Sequence, residues 1–389
     1  MTHTGSCNRR AFILERWSGA SRAVFLLGGA LAAAAVLSGG GAARAQSVSA
    51  AQGTLSGAAS AQATGPLMLQ SQGSFFVGGQ DEQSDGLGPA PIPGLFGTDG
   101  TWTVNQMYVQ FERPYRVSHL PIVLIHGCCL TGKTWETTPD GRMGWYEYFV
   151  RQGFPTYEID QVARGRSGFD MTAINEVVMG KADISHLPYI LSAGHEDAWR
   201  VFRFGPQFPT AFPGEQFPVW TAAPNGQFWK QMVPDLNQSL PQPTPTVAAL
   251  SQLSIGLAGA ILVSHSESGP FPFQSAHIST QGIAGIISIE PGSCTGLDVA
   301  AVAKIPALIL FGDNVSQSPF WANSLQTCMD FAAQVKAAGG NIQVLQLPSL
   351  GIRGNSHMLM QDLNNLVIGR LLVQWIEQNV ENTATAAAP

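Results

Sequence analysis

Charge is scarce in this chain. Asp, Glu, Lys and Arg make up 12% of its 389 residues, whereas 45% are hydrophobic. With 20 basic against 26 acidic residues, no cationic stripe is available to pair with phosphates, which excludes a nucleic-acid partner. The apolar content excludes a disordered chain. Cofactor signatures are missing as well. There is no G-x-G-x-x-G opening a helix, no H-E-x-x-H and no P-loop, so neither a cofactor nor a metal is expected. The chain has no internal repeat. The apolar run from Ala23 to Leu37 falls short of the roughly 20 residues that span a bilayer.

That run has a different reading. Arg9, Arg10, Arg16 and Arg22 precede or open it, and small residues after it lead to Ala43-Arg44-Ala45, an A-x-A cleavage pattern. These are the three parts of a secretory signal peptide, covering residues 1–45, whose removal leaves Gln46 as the new N-terminus. Arg9-Arg10 ahead of Phe12 also fits the twin-arginine route. The protein is therefore expected in the periplasm or outside the cell. Removal takes five basic residues and one acid, leaving a net charge of −10. Such a surface repels anionic membranes and favours a neutral substrate. Cys7 leaves too, so Cys128, Cys129, Cys294 and Cys328 remain. In an oxidising compartment they suggest two disulfides, with three possible connectivities.

Residues 46–66 are little but Ala, Gly, Ser and Gln and read as a flexible lead-in; the catalytic domain is assigned to 67–389. Gly73 to Gly78 and the alternating Thr101 to Phe111 look like strands. Short apolar runs follow at Pro121–Ile125, Gly259–Val263, Ile283–Ile289, Ala307–Phe311 and Ile342–Leu347, with a further strand at Thr156–Ile159. Helix-like stretches near Met143–Gln152, Gly269–Thr280, Pro319–Ala338 and Leu363–Val380 alternate with them. Continuous apolar runs separated by crossover helices mark buried parallel strands. The expected fold is α/β, a mostly parallel eight-stranded sheet flanked by helices. Between Phe169 and Thr246 the pattern breaks into Pro and aromatics, including Trp199, Phe202, Phe204, Phe212, Phe217, Phe228 and Trp229. A stretch this long is expected to be a cap over an apolar pocket, against the plainer reading of a packing extension.

The chemistry centres on Ser264-His265-Ser266-Glu267-Ser268-Gly269, which directly follows an apolar strand and precedes a helix. A nucleophile elbow is such a turn, exposing the serine hydroxyl beyond the sheet edge. The usual glycines two before and two after are replaced by Ser264 and Ser268, the next smallest residues. A serine needs a base, and in this topology the histidine comes after the last strand, where His357 sits in Gly354-Asn355-Ser356-His357. His265 and His277 lack that placement and read as structural. Two acids compete to orient the imidazole: Asp313, after the strand ending at Phe311, and Glu290, after the preceding one. The oxyanion hole should use the backbone N–H of Glu267 and one from the loop after His126-Gly127, that of Cys128. Cys128 and Cys129 either bridge each other or pair with distant partners. An adjacent bridge is strained, because neighbouring Cα atoms stand about 3.8 Å apart and disulfides usually want at least about 4.4 Å.

His126-Gly127-Cys128-Cys129, the elbow, Ile289-Glu290-Pro291 and Gly354-Asn355-Ser356-His357-Met358 together resemble a small group of secreted bacterial esterases of the α/β-hydrolase fold. The likeness covers roughly residues 70–380. It implies a Ser266–Glu290–His357 triad, oxyanion donors at Cys128 and Glu267, and a Cys128–Cys129 bridge, leaving Cys294 to pair with Cys328. The group often carries Gln where Glu267 stands. The resemblance implies a serine esterase but names no substrate; the acidic surface and the aromatic insertion point to a small, neutral, apolar ester, with no nucleic acid or stable membrane partner, and association with a second copy is left open. Three rivals are weighed. A polyester depolymerase would use the same triad in an open groove, and an epoxide or halide hydrolase would carry Asp at the elbow. A non-catalytic hydrolase-like binding protein would be expected to lack a triad member.

Overall fold

The computed structural model describes residues 65–88, 92 and 94–381. The expected signal peptide, and all but the last two residues of the expected lead-in, lie outside them. Eight strands appear: β1 (Leu69–Ser84), β2 (Gly100–Pro114), β3 (Ile122–Ile125), β4 (Thr156–Asp160), β5 (Ala260–His265), β6 (Ile283–Ile289), β7 (Ala307–Phe311) and β8 (Ile342–Gln346). They form one sheet in the order β1-β2-β4-β3-β5-β6-β7-β8. From β4 to β8 every pairing is parallel, and β2 runs antiparallel to both β1 and β4. β3 to β8 fall on the five short apolar runs and the Thr156–Ile159 segment to within a residue or two. β1 is far longer than the Gly73–Gly78 expected. Most of its residues are exposed on both faces, so it has no alternation to read, and its length comes from pairing with β2.

The buried strands divide their side chains between two cores. Ile122, Leu124, Ile261, Val263, Ile287, Leu308 and Leu310 face one side. They pack with Trp145 and Phe149 of α1 (Trp145–Arg151) and with Ile368 and Leu372 of the C-terminal helix (Asn365–Ile376). Val123, Ile125, Leu262, Ile286 and Ile309 face the other side, against the helices Pro245–Gly256, Phe271–Ile278 and Pro319–Ala337. Both faces are covered, so most of these strands are predominantly apolar rather than alternating; β4, with Glu158 and Asp160 buried, departs from that pattern.

The stretch expected as a cap holds α2 (Thr172–Val178), α3 (His195–Val201) and α4 (Gln227–Lys230), joined by turns and 3-10 segments. Most of its aromatics pack on one another. Phe204 stacks on Phe217 at 3.8 Å between ring centroids, and Phe228 meets both edge-on. This cluster merges with the first of the two cores. In chain order, α5 (Pro245–Gly256) leads into β5, α6 (Phe271–Ile278) follows the elbow and α7 (Val299–Val302) precedes β7. α8 (Pro319–Ala337) and α9 (Asn365–Ile376) flank β8. Cys294, in the loop after β6, is disulfide-bonded to Cys328 of α8. Among the described residues no helix is long and apolar enough to cross a membrane.

Leu262 lies at the centre of β5 with no exposed surface. Leu262→Ala should destabilise the protein by about 2–5 kcal/mol through lost burial and a residual cavity. A urea-unfolding midpoint unchanged from the parent would contradict that packing.

Candidate active site

β5 ends at His265, and the chain turns at Ser266 with φ of 59° into a 3-10 turn over Ser266–Ser268. A positive φ is costly for a non-glycine residue, on the order of 1–3 kcal/mol, and it lifts the Ser266 side chain out of the strand direction. Ser266 is 8% exposed and lines a cavity. The two serines replacing the usual glycines are buried and hydrogen-bonded. Ser268 Oγ accepts from the His265 N–H at 3.1 Å and lies 3.0 Å from the Ile125 carbonyl, stitching the elbow to β3; Ser264 Oγ donates to the Gly269 carbonyl. Glycine is needed at two flanking points. A Cβ at Gly127 would stand 2.8 Å from that of Ser266, and one at Gly269 would run into Pro291.

His357 is fully buried in the loop after β8. Its N–H donates to the Phe202 carbonyl at 2.9 Å, and its own carbonyl meets His265 Nε2 at 2.9 Å. The Asp362 carboxylate accepts from the Ser356 N–H and hydroxyl and from Asn355, fixing the turn that presents the imidazole. His357 Nδ1 lies 3.4 Å from Glu290 Oε2. Its Nε2 has no hydrogen-bond partner among the described residues, so it is not bonded to Ser266 Oγ. Burial, reinforced by the Arg203 charge and opposed by Glu290, holds the imidazole below its usual pKa.

The two candidate acids are separated by geometry. Glu290, fully buried with φ of 51°, turns toward the imidazole. Asp313 instead accepts from the Asn314 N–H at 2.8 Å and the Gly354 N–H at 3.0 Å, bracing the base of the histidine loop. Burial alone would raise the pKa of Glu290. Arg203 and His357 more than cancel that and hold it at about 2. Arg203, absent from the sequence expectations, donates from Nη2 to Glu290 Oε1 at 2.6 Å and is itself buried. Nothing local marks it, since Glu290 lies 87 positions further along the chain. Of the other histidines, His265 is neutral, its pKa driven far down by burial and by His357. His277 pairs with Asp298 near the surface.

The loop after β3 is held from several sides. His126 donates from Nδ1 to the Gly127 carbonyl and accepts the Gln161 N–H at Nε2; burial keeps its pKa at about 4, so it is neutral. Arg164 donates to the Gly127 and Leu130 carbonyls and forms a buried ion pair with Asp235. The Cys129 N–H donates to Asp235 at 3.2 Å, which commits that amide and leaves Cys128 as the nearer candidate donor. Cys128 and Cys129 are unjoined thiols with sulfurs 2.7 Å apart, so the expected bridge is open in this structure. Cys129 has φ of 60°, in the left-handed region that non-glycine residues rarely enter. The neighbouring thiol, then burial, pushes the Cys128 pKa up. Cys128, Cys129 and Asp235 also group as metal-type ligands, but Asp235 is already engaged by Arg164 and the Cys129 and Asn237 N–H groups.

The cavity over Ser266 measures about 760 Å³. The insertion supplies Leu191, Val201 and Phe212 to its wall, and Phe320 and Trp321 of α8 face them. Of the aromatics that crowd the insertion, then, Phe212 reaches the cavity and most others serve packing. Glu267 and Cys128 complete the floor beside Ser266.

A parallel sheet covered on both faces, with a serine on a strained turn after its central strand, defines the α/β-hydrolase fold. A solved bacterial esterase is 52% identical to this chain, covering 82% of it and 98% of the esterase, with a TM-score of 0.78. A curated protein described as a probable secreted lipase, phiG, from Fungal sp. (strain ATCC 74256) is 25% identical over 345 residues, 74% of this chain and 90% of that protein. No protein-family model matches. The chain belongs to the esterase/lipase-like α/β-hydrolase family.

Glu267 offers a test of the floor of the cavity. Burial and nearby Asp235 raise its pKa to about 7, against the opposing pull of Arg164 and Asn237. It is neutral below that pH and anionic above it, where its charge would oppose a developing oxyanion. Glu267→Gln should therefore raise kcat/KM several-fold above pH 8 and change it little near pH 5.5. Equal effects at both pH values would separate the carboxylate from the reaction.

Proposed function

We propose that the protein is an exported serine esterase that hydrolyses neutral, apolar carboxylic esters. The observation that carries this reading is the buried imidazole of His357. It has a carboxylate on Nδ1 and a free Nε2, and its ring stands 4.6 Å from that of His265, the residue just before a serine held at an elbow. With Nδ1–H directed at Glu290, the Nε2 lone pair is available to a hydroxyl proton. The hydrogen bond from Ser266 forms as substrate binds; such bonds are commonly absent from ligand-free sites.

In the first half-reaction, Ser266 Oγ bonds to the ester carbonyl carbon as its proton passes to His357 Nε2. The oxyanion accepts from the Cys128 and Glu267 N–H groups, a contribution of order 10²–10³ in rate per donor. Collapse expels the alcohol, which takes the proton from His357. Water then adds to the acyl-serine, His357 removes its proton, and the carboxylic acid leaves with Ser266 restored. Glu290 remains ionised throughout and balances the transient imidazolium. The apolar walls of the cavity favour a hydrophobic acyl or alcohol group. The secreted relative and the N-terminal pattern support export. In an oxidising compartment Cys128 and Cys129 would lose two protons and two electrons to the thiol-oxidising machinery and close into a bridge, stiffening the oxyanion loop.

A series of p-nitrophenyl esters of graded acyl length tests the reading. Ser266→Ala should lower kcat by about 10⁴-fold or more, and retained turnover would place the nucleophile elsewhere. Glu290→Gln should cost roughly 10²–10⁴-fold, against about tenfold or less for Asp313→Asn; the reverse order would make Asp313 the acid.

The bridge is tested on the secreted protein by mass analysis after thiol alkylation. No free thiol should be found, and mild reductant should expose two and lower the rate. Two free thiols in fully active protein would remove the bridge.

A further inference from the structure

The geometry points to Arg203 as a positioning residue: a buried cation, carried by the insertion, that occupies one oxygen of Glu290 and sets the acidic end of the range in which His357 works as a base. This rests on the Ser266–Glu290–His357 reading above.

Arg203 and Glu290 have essentially no exposed surface, and the guanidinium is spread over the site. Nη2 donates to Glu290 Oε1, which also accepts the Gly312 N–H. Nε donates to the Asp313 carbonyl at 2.9 Å. The cation lies over Trp321, whose ring also contacts the imidazole. With Oε1 doubly engaged, Oε2 is the oxygen left to face His357. Arg203 itself has φ of 56°, in the left-handed region that non-glycine residues rarely enter, one residue after the Phe202 carbonyl that holds the His357 N–H. A single turn of the insertion thus grips the backbone of the base and the side chain of the acid.

Nη1 also lies 3.4 Å from His357 Nδ1, as far as Glu290 Oε2 does. When Nδ1 carries its proton, Glu290 accepts it and the Nε2 lone pair is free. A second proton on the ring would add a positive charge beside a permanent one, which like-charge repulsion opposes. Of the other groups near the imidazole, His265 is neutral and Asp313 faces Gly354. Asp362 and Glu215 act at one remove, on Glu290 and Arg203.

The sign follows. Losing the cation raises the His357 pKa, so the base is lost at higher pH on acidification; it also raises the Glu290 pKa, in the same direction. The test is kcat/KM against pH on a p-nitrophenyl ester for the parent, Arg203→Gln, Arg203→Lys and Ser266→Ala. Arg203→Gln should move the acid limb up by on the order of one pH unit. Arg203→Lys keeps the charge without the fork. Its limb should stay within about 0.3 units of the parent while kcat falls, since point charges act alike on pKa but only the planar fork holds two partners. A purely structural role would lower kcat in both variants without moving either limb, and that result overturns the proposal. So does a limb displaced as far in Arg203→Lys as in Arg203→Gln. If Arg203→Gln does not fold, Arg203→Met, which also removes the charge but keeps more of the side-chain bulk, takes its place with the same expected shift, and an unmoved limb there overturns the proposal. Activity retained in Ser266→Ala would overturn the triad reading and this proposal with it. An inactive Ser266→Ala beside unmoved limbs overturns the Arg203 role alone.

Discussion

A carboxylate withdrawn completely from water is unstable as an anion unless its charge is answered nearby. Glu290 is in that position, and the rest of the site is arranged around answering it. The strand end supplies the carboxylate, the next loop supplies the Gly312 N–H, and the insertion supplies Arg203. Once Oε1 is satisfied, Oε2 is held toward the imidazole with few alternatives. The low pKa of Glu290 is the thermodynamic record of that arrangement. Unmatched burial would have left a neutral acid unable to balance a positive ring.

The same region concentrates backbone strain. Ser266, Glu290, Cys129 and Arg203 all hold positive φ, and each turns a group toward the cavity floor or the proposed triad. Strain of this kind persists only where surrounding structure over-determines it. Here the restraint is the doubly covered sheet below and the hydrogen bonds stitching one loop to the next. Ser268 reaches Ile125, His265 meets His357, and Arg164 holds two carbonyls of the β3 loop.

Much of the fold was legible because it follows from periodicity. Six short segments between turn residues became six strands, since a parallel sheet buried on both faces favours apolar side chains at most positions. That Ser266, Glu290 and His357 stand in the loops after β5, β6 and β8 was legible in the sequence. The full reach of β1 was not, because both its faces are mostly exposed and its pairing leaves no hydrophobic signature. Nor was the choice between Glu290 and Asp313, which lie at equivalent strand ends and differ in the backbone turn that aims each side chain. Arg203 and Asp235 escaped notice for another reason. Their partners lie 87 and 71 positions away in sequence, and buried ion pairs leave no local pattern. The aromatics were read as pocket lining. Most proved to be packing, since pattern alone cannot say which face of a loop is inward.

The insertion does more than wall the cavity. Through the Phe202 carbonyl, the Arg203 guanidinium and Gln216, it is tied to the histidine loop; through Val233 and Asp235 it is tied to the loop carrying Cys128. A segment that merely covers a pocket can be shortened or exchanged as homologues diverge, but this insertion is also bonded to the loops that carry the proposed reacting groups. Variation in substrate range should therefore accumulate at side chains such as Leu191 and Phe212, which face the cavity and are not part of that framework. Loop length, the commoner source of diversity in such enzymes, is constrained here.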